Sequence, residues 1–168
     1  MKFTYLPLIL ILLFSSCTQK KQEPDVSPLL KSEISGESLW ARISEEADYK
    51  SYSFFTDHEG EQQGQAPHGP FHRIYVNKTL LGALPIANGV VPDGSIIVKD
   101  NLSAAKEMTG ITVMAKIEGY DAENSDWFWA MYSPEGEVRA AGKLDGCIGC
   151  HEGMKDNDYV IVKRLNTP

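Results

Sequence analysis

The sequence predicts a mainly β (α+β) fold, in which an antiparallel β-sheet is flanked by a few helices. Short β-prone runs recur along the chain, at residues 71–76, 95–99, 111–117 and 127–132. Turn residues separate these runs, as at Asp93-Gly94 and Ser133-Pro134-Glu135-Gly136. The pattern is not that of a four-helix bundle or of a small all-helical protein.

The remaining elements are expected to be short. Residues 37–47 predict a helix, because Leu39, Trp40 and Ile43 recur at helical spacing after the possible caps Ser35 and Ser38. We expect Trp40 to be ordinary core. Residues 57–65 predict a loop, and residues 77–84 predict a short helix or turn. Residues 159–162 predict a last short strand.

Alternation assigns side chains to faces of the predicted sheet. In residues 71–76, His72, Ile74 and Val76 point one way while the intervening side chains point the other way. In the next run Lys99 shares a face with Ile97. Taken alone, a lysine at a strand end predicts an amine that extends to water.

The first 17 residues resemble a bacterial lipoprotein signal peptide. One lysine, Lys2, precedes an apolar run over residues 6–14, which is too short to span a bilayer, and Ser15-Ser16-Cys17 follows. The resemblance implies export to the periplasmic or cell-surface face of a bacterial membrane, with Cys17 lipidated as the new N-terminus. The alternative is an ordinary signal peptide with an incidental cysteine.

The mature chain is expected to form one domain. Residues 18–33 have few large apolar residues and predict a flexible tether, and residues 34–168 are enough for a single core. The formal net charge is −7, and loss of Lys2 with the signal makes it −8. This acidic balance argues against nucleic acid as a partner and mildly favours a basic redox protein.

The segment Cys147-Ile148-Gly149-Cys150-His151 predicts covalent haem attachment. Each thiol adds to one haem vinyl group, and His151 becomes the proximal iron ligand. Three other readings are a thioredoxin-like redox pair, a zinc site and a short-range disulfide. Since Cys17 is assigned to the lipid anchor, haem attachment accounts for every cysteine in the chain.

Several other residues are candidate sixth ligands of the iron. His68 and His72 carry imidazoles, although a histidine beside a strand is more often structural. Three methionines offer thioethers but are more often core: Met108, Met114 and Met131.

Together these residues resemble the cytochrome P-460 family and the related cytochrome c′-beta. The resemblance covers about residues 40–163 and is carried by five stretches: Pro67-His68-Gly69 leading to Asn77, Asp93 to Lys99, Val113 to Lys116, Trp127-Phe128-Trp129, and Cys147 to His151. It implies a β-rich fold, usually a homodimer, and one covalently attached haem c with a vacant distal position. It also implies that Lys99 matches a lysine that bonds to a meso carbon of the porphyrin.

The resemblance implies oxidation of hydroxylamine or a related small nitrogen species. Active members of the family carry an acid nine residues before the haem histidine, where this chain has Gly142. Glu135, Glu137 and Asp145 are the alternative candidates for proton transfer.

Two other functions remain open. Relatives of the c′-beta type bind nitric oxide beneath an aromatic wall, for which Phe54, Phe55, Phe71 and Trp129 are available. A periplasmic electron carrier would instead fill the sixth position with histidine or methionine.

Overall fold

The computed structural model describes residue 1 and residues 29–167. The apolar run of the predicted signal peptide, Cys17 and residues 18–28 of the predicted tether lie outside the described residues. Within the described part of the chain, no helix is long and apolar enough to cross a membrane.

One six-stranded antiparallel sheet organises the domain, which confirms the predicted fold class. The strands lie side by side in the order in which they occur along the chain. Their bounds are β1 Glu61–Gln63, β2 Phe71–Val76, β3 Ile96–Leu102, β4 Met108–Lys116, β5 Trp127–Tyr132 and β6 Val138–Gly142.

Within residues 29–167 three short α-helices flank the sheet: α1 Gly36–Ala41, α2 Lys78–Ala83 and α3 Asp145–His151. Ser35 caps α1 by accepting from the Ser38 backbone, as one of the two predicted caps. The predicted helix 37–47 is divided, because α1 continues as a π-helical turn, Arg42–Glu46. Single 3₁₀ segments occur at Tyr49–Ser51, Ala122–Asn124 and Glu152–Asn157.

The sheet has two faces with separate apolar clusters. The face packed against α1 and the π-helical turn, here the helix-side face, buries Leu39 and Ile43 against Val98 and Val113. The opposite face, here the site face, carries four aligned side chains from neighbouring strands: Ile74, Lys99, Thr112 and Met131. The predicted division of β2 and β3 between two faces is confirmed.

Three sequence expectations about the sheet are wrong. The predicted loop 57–65 contains β1, and β6 was not predicted. Residues 159–162 do not form the predicted strand, since Asp158 and Tyr159 have φ angles of 51° and 65° and end the extended conformation there.

Candidate functional site

Helix α3 carries the two predicted haem thiols. Cys147 is half-buried and Cys150 is exposed, and both are free thiols. Residues three apart lie on the same side of a helix, so the two sulfur atoms are neighbours. Burial, followed by the charge of Cys150, raises the pKa of the Cys147 thiol.

His151 is held in one orientation by the segment that follows α3. Its Nδ1 lies 2.8 Å from the carbonyl oxygen of Tyr159, so Nδ1 carries the proton and donates this bond. The Nε2 atom then keeps its lone pair, which is the arrangement that a metal-ligating imidazole needs. The ring of Trp129 contacts that of His151, with centroids 4.9 Å apart.

The carbonyl that accepts from His151 is fixed by a buried ion pair. Lys116 Nζ on β4 lies 2.6 Å and 2.9 Å from the two carboxylate oxygens of Asp158. Trp127 Nε1 donates to the Asp158 carbonyl at 2.9 Å. These bonds hold Asp158 and Tyr159 in the left-handed region, which is costly for residues other than glycine and aims the Tyr159 carbonyl at His151.

A tight loop between β1 and β2 places His68 above the site face. Gly64 N donates to Pro70 O at 2.7 Å and His68 N to Gln65 O at 3.0 Å, which closes the loop. Gly69 has a φ of +84°, and a Cβ there would lie 2.5 Å from the Leu102 carbonyl, so only glycine fits. The His68 and His151 rings are perpendicular, with centroids 6.3 Å apart.

His58 and His72 form an imidazole pair beside this loop. Their Nε2 atoms are 2.6 Å apart, so one ring donates to the other. The two ring planes differ by only 13°, and the ring centroids are 4.9 Å apart. This distance equals the separation of the two Nε2 atoms plus the distance from Nε2 to the centroid in each ring. The rings therefore meet end to end in one plane and are not stacked face to face.

Lys99 is the charged residue of the site face that acts on the histidines around it. Burial lowers the pKa of its amine to about 8. Within residues 29–167 the amine makes no hydrogen bond or ion pair. Its charge lowers the pKa values of all four histidines in the chain, after the larger effect of burial. Burial takes the pKa values of His68 and His72 down to about 4, so both rings are neutral at pH 7.

The site face also carries buried polar atoms without partners. Two of them are His72 Nδ1 and Trp129 Nε1. Leaving such atoms unpaired costs about 1 to 3 kcal/mol each, and a bound group with polar atoms could offset this cost. Two free thiols, a preoriented imidazole and an unsatisfied polar face together fit a covalently held haem.

The other readings of the cysteine motif agree less well with the fold. The thiols are free, which does not support a disulfide. Among the described residues no group of three or more histidines, cysteines or acids has the geometry of a metal site. Since every strand pairing is antiparallel, the thioredoxin-like βα context is absent from the described sheet.

Comparison with known families now identifies the chain. The model of the family described as Cytochrome P460 matches residues 46–162, from the π-helical turn to beyond the haem motif. The chain belongs to the cytochrome P460 family. The predicted resemblance is thereby confirmed, and the cofactor of this cytochrome is a haem. No curated protein matches the sequence.

In this cytochrome P460 domain the three candidate acids lie at the surface. Glu135 and Glu137 are in the β5–β6 turn, where Ser133 donates to Glu135, and Asp145 opens α3. The charged groups that shift the pKa values of the histidines are Lys99, Asp57 and other histidines. The three candidate acids are not among these groups. Gly142 has a φ of +117°, so a carboxylate residue at that position would strain the backbone.

The candidate aromatic wall is divided between the two faces. Phe54 packs on Tyr75 in the helix-side cluster, and Phe71 shares that face. Phe55 is buried in the cluster of the site face, and Trp129 contacts His151, the predicted proximal ligand. Two of the four rings are therefore on the wrong side of the sheet to cover a distal ligand.

The three methionines also divide by face. Met108 packs on the helix-side cluster and Met114 is buried in the cluster of the site face. Met131 is the exposed one, beside Thr112 on the site face.

Sequence reasoning did not find several groups of the site. Asn101 could have been found, because it lies two positions after Lys99 and must share its face. The pairing of His58 with His72 and the acceptor role of the Tyr159 carbonyl have no sequence signal, since both depend on loop conformation.

Proposed function

We propose that this protein is an exported mono-haem c-type cytochrome that oxidises hydroxylamine or a related small nitrogen species. Cys147 and Cys150 form the thioether bonds, and His151 is the proximal iron ligand. The observation that carries the proposal is the unpaired Lys99 amine among neutral histidines, on the face that Trp129 and His151 share. A polar face of this kind suits proton-coupled chemistry better than an apolar cap does.

The haem, when bound, supplies an iron that accepts electrons from the nitrogen compound. Oxidation of hydroxylamine also releases protons, which neutral imidazoles can relay. His68 and His72 have pKa values of about 4, so at pH 7 they are neutral and would pass a proton on without retaining it. The end-to-end pair provides a route from buried His72 to half-buried His58, which replaces the acid missing at Gly142.

Lys99 is proposed to form a third covalent bond to the haem. An amine with a pKa of about 8 is partly neutral at pH 7 and therefore nucleophilic. The bond would join Nζ to a meso carbon of the porphyrin. It replaces one N–H and one C–H bond, so two electrons and two protons leave, and a peroxide is the oxidant class that would take them.

Peptide mapping tests the cross-link. Trypsin does not cut after a lysine whose amine is substituted, so the wild-type digest should contain one haem peptide that includes both Lys99 and Cys147 to His151. Lys99→Ala should leave the haem on the cysteine peptide alone and change the visible spectrum. Lys106→Ala, an exposed lysine paired with Glu61, is the matched control. A wild-type digest with the haem on the cysteine peptide alone, together with a visible spectrum that does not change in Lys99→Ala, would refute the cross-link.

Turnover tests the enzymatic part. Haem-loaded protein should reduce an artificial electron acceptor when hydroxylamine is added, and His72→Phe should slow this reaction by about tenfold or more if the imidazole carries protons. Nitric oxide binding without any turnover would support a scavenger instead. The position of Phe54 and Phe71 on the helix-side face counts against that alternative.

A simple electron carrier is the second candidate, and one observation favours it. The ring of His68 lies opposite that of His151, with centroids 6.3 Å apart, so a histidine is available for the sixth position. A carrier would show reversible one-electron reduction and no reaction with hydroxylamine.

Location and partners complete the proposal. We propose that the protein is anchored at the periplasmic or cell-surface face of a bacterial membrane through a lipid on Cys17, as a homodimer that passes electrons to a basic redox protein. Radiolabelled palmitate should enter wild type but not Cys17→Ala, and light scattering of the haem-loaded domain should give twice the chain mass.

A further inference from the structure

We propose that Asp158 is a positioning residue for the proximal side of the haem, and that it tunes the reduction potential of the iron through the Tyr159 carbonyl and His151. The proposal rests on the part of the proposed function that attaches haem at α3 with His151 as the iron ligand, and it is independent of the nitrogen chemistry. It concerns the proximal side alone, so the distal position stays open to a small ligand.

The bond from His151 to Tyr159 is the point at which the protein can act on the iron. His151 donates from Nδ1 to the Tyr159 carbonyl at 2.8 Å. The bond that a ligating imidazole donates from its second nitrogen raises the basicity of the ring toward the metal. A more basic proximal ring stabilises the oxidised iron and lowers the reduction potential. The distance and direction of one backbone carbonyl therefore tune the potential from the proximal side.

This carbonyl lies in a backbone segment that needs to be held in place. Asp158 and Tyr159 have φ angles of 51° and 65°. Two successive residues other than glycine in the left-handed region are costly, so contacts from outside the segment must compensate. The Tyr159 backbone itself donates to the Met154 carbonyl at 2.9 Å, which leaves Asp158 as the residue that connects the segment to the sheet.

Asp158 makes four hydrogen bonds to three different parts of the fold. Its carboxylate accepts from Lys116 Nζ on β4 at 2.6 Å and 2.9 Å, and from the backbone N–H of Val91 at 2.7 Å. Its carbonyl accepts from Trp127 Nε1 on β5 at 2.9 Å. Asp158 is thus fixed to two central strands, and the peptide that follows it, which leads to the Tyr159 carbonyl, is fixed with it.

The chemistry of the ion pair indicates a role beyond stability. Lys116 and Asp158 are only 6 % and 4 % exposed. Well-packed apolar residues in place of such a pair often leave a protein equally or more stable, so burial of two charges is weak evidence for a stabilising role. The pair instead selects one conformation of Asp158, and the amine neutralises a carboxylate that lies one residue from the carbonyl that His151 contacts.

Two neighbouring residues are less suitable for this role. Asn157 donates from Nδ2 to the carbonyls of Val160 and Lys163, at 2.6 Å and 2.7 Å, and so it holds the chain beyond Tyr159. Trp129 packs its ring against those of His151 and Tyr159, and its Nε1 has no partner within residues 29–167. Trp129 therefore shapes the space around the proximal ring without directing the carbonyl.

Resonance Raman spectroscopy and redox titration of the haem-loaded protein test the proposal. Trp127→Phe keeps an aromatic ring and removes the donor to Asp158, while Asp158→Asn removes the charge and keeps a residue that tolerates the left-handed region. Each variant should weaken the bond from His151 to Tyr159, so the iron–histidine stretching frequency of the ferrous protein should fall and the reduction potential should rise. The double variant should shift both by less than the sum of the single shifts, because both changes act through one carbonyl.

Asp100→Ala is the matched control. It also leaves buried polar groups unpaired and lowers stability, but it does so on the helix-side face. The stretching frequency and the potential of this variant should equal those of wild type. Shifts in Asp100→Ala as large as those in Trp127→Phe would overturn the proposal, since general loosening of the fold would then explain both.

The remaining outcomes also decide the proposal. Wild-type frequency and potential in both Trp127→Phe and Asp158→Asn overturn it. If Asp158→Asn does not fold, Trp127→Phe decides, because it retains the ion pair; if the stretching mode is not observed, the potential decides alone. The expected shifts in a protein without hydroxylamine turnover would support the role of Asp158 and refute the proposed enzyme, while absence of covalent haem on a denaturing gel would refute both.

Discussion

Two adjacent residues of β3, Asp100 and Lys99, show that the two faces of the sheet differ in whether a buried charged side chain has polar partners. Asp100 points to the helix-side face, is fully buried, and accepts from Tyr49 Oη at 2.8 Å and Lys50 Nζ at 3.0 Å. Lys99 points to the site face and has no polar partner in residues 29–167. A buried charge without a partner lowers stability, so a fold keeps one only where something else compensates. The helix-side face therefore pairs its buried charge within the protein, whereas the site face leaves an amine that the proposed haem would contact.

The largest expected effect comes from the buried ion pair of Lys116 and Asp158, which supports the site face. Lys116→Met leaves Asp158 buried without its partner, and breaking a buried pair in this way costs about 3 to 5 kcal/mol. Urea unfolding of the haem-free protein measures this cost. Arg164→Met, which breaks an exposed pair with Asp156, is the control and should cost less than about 1 kcal/mol. Equal losses in the two variants would contradict the importance of the Lys116 pair.

Asp100→Ala should be the next most harmful substitution. It removes the acceptor of the Tyr49 hydroxyl and of Lys50, and leaving a buried donor unpaired costs about 1 to 3 kcal/mol. Thermal or urea unfolding checks this, with Asp100→Asn as the variant that retains an acceptor and loses less. A fully stable Asp100→Ala protein would mean that the helix-side network contributes little.

Lys99→Met should change the free energy of unfolding by less, and in the opposite direction, because it should stabilise the haem-free protein. It replaces an unpaired, partly buried amine with an apolar chain of similar length, so the haem-free protein should gain about 1 kcal/mol at pH 7. The pKa of Lys99 is about 8 in the folded protein, below the value of an unfolded lysine. The unfolded chain therefore binds more protons above pH 8, and the stability of the haem-free wild type rises with pH up to the unfolded pKa. Lys99→Met should lose this rise, and a rise that persists would contradict the prediction.

The last expected effect appears only in acid, and it comes from the histidines. His68 and His72 have folded pKa values of about 4, below that of an unfolded histidine. As the pH falls through the unfolded value toward 4, the unfolded chain takes up protons first, so the haem-free protein loses stability over that window. His72→Phe should flatten part of this loss, as measured by unfolding at a series of pH values. A slope identical to that of wild type would show that His72 does not titrate there.

Regular alternation made part of this site predictable. The faces of His72 and Lys99 followed from strand period alone, and the motif from Cys147 to His151 is local in sequence. β6 was missed because Val138–Gly142 contains small residues that have no clear β preference. Residues 159–162 have the composition of a strand, but the bonds from Lys116 and Trp127 hold the start of this segment in another conformation.

The meeting of His68 with His151 was not predictable, since neither histidine shows in its local sequence that the other faces it. It depends on the loop closed by Gly64 and Pro70 and on the carbonyl of Tyr159. Tertiary contacts decide both of these features. A pattern of spacing contains no information about them.

The strand order of the sheet also has a consequence for the rate and order of folding. Because each strand pairs with its neighbour along the chain, the sheet can form from local hairpins, which close short loops and form quickly. The meeting of His68 with His151 instead closes a loop that includes β2 to β6, and so it comes late. Newly made chains should therefore first form the sheet, with Lys99 already in place, and bring the two thiols of α3 to it last.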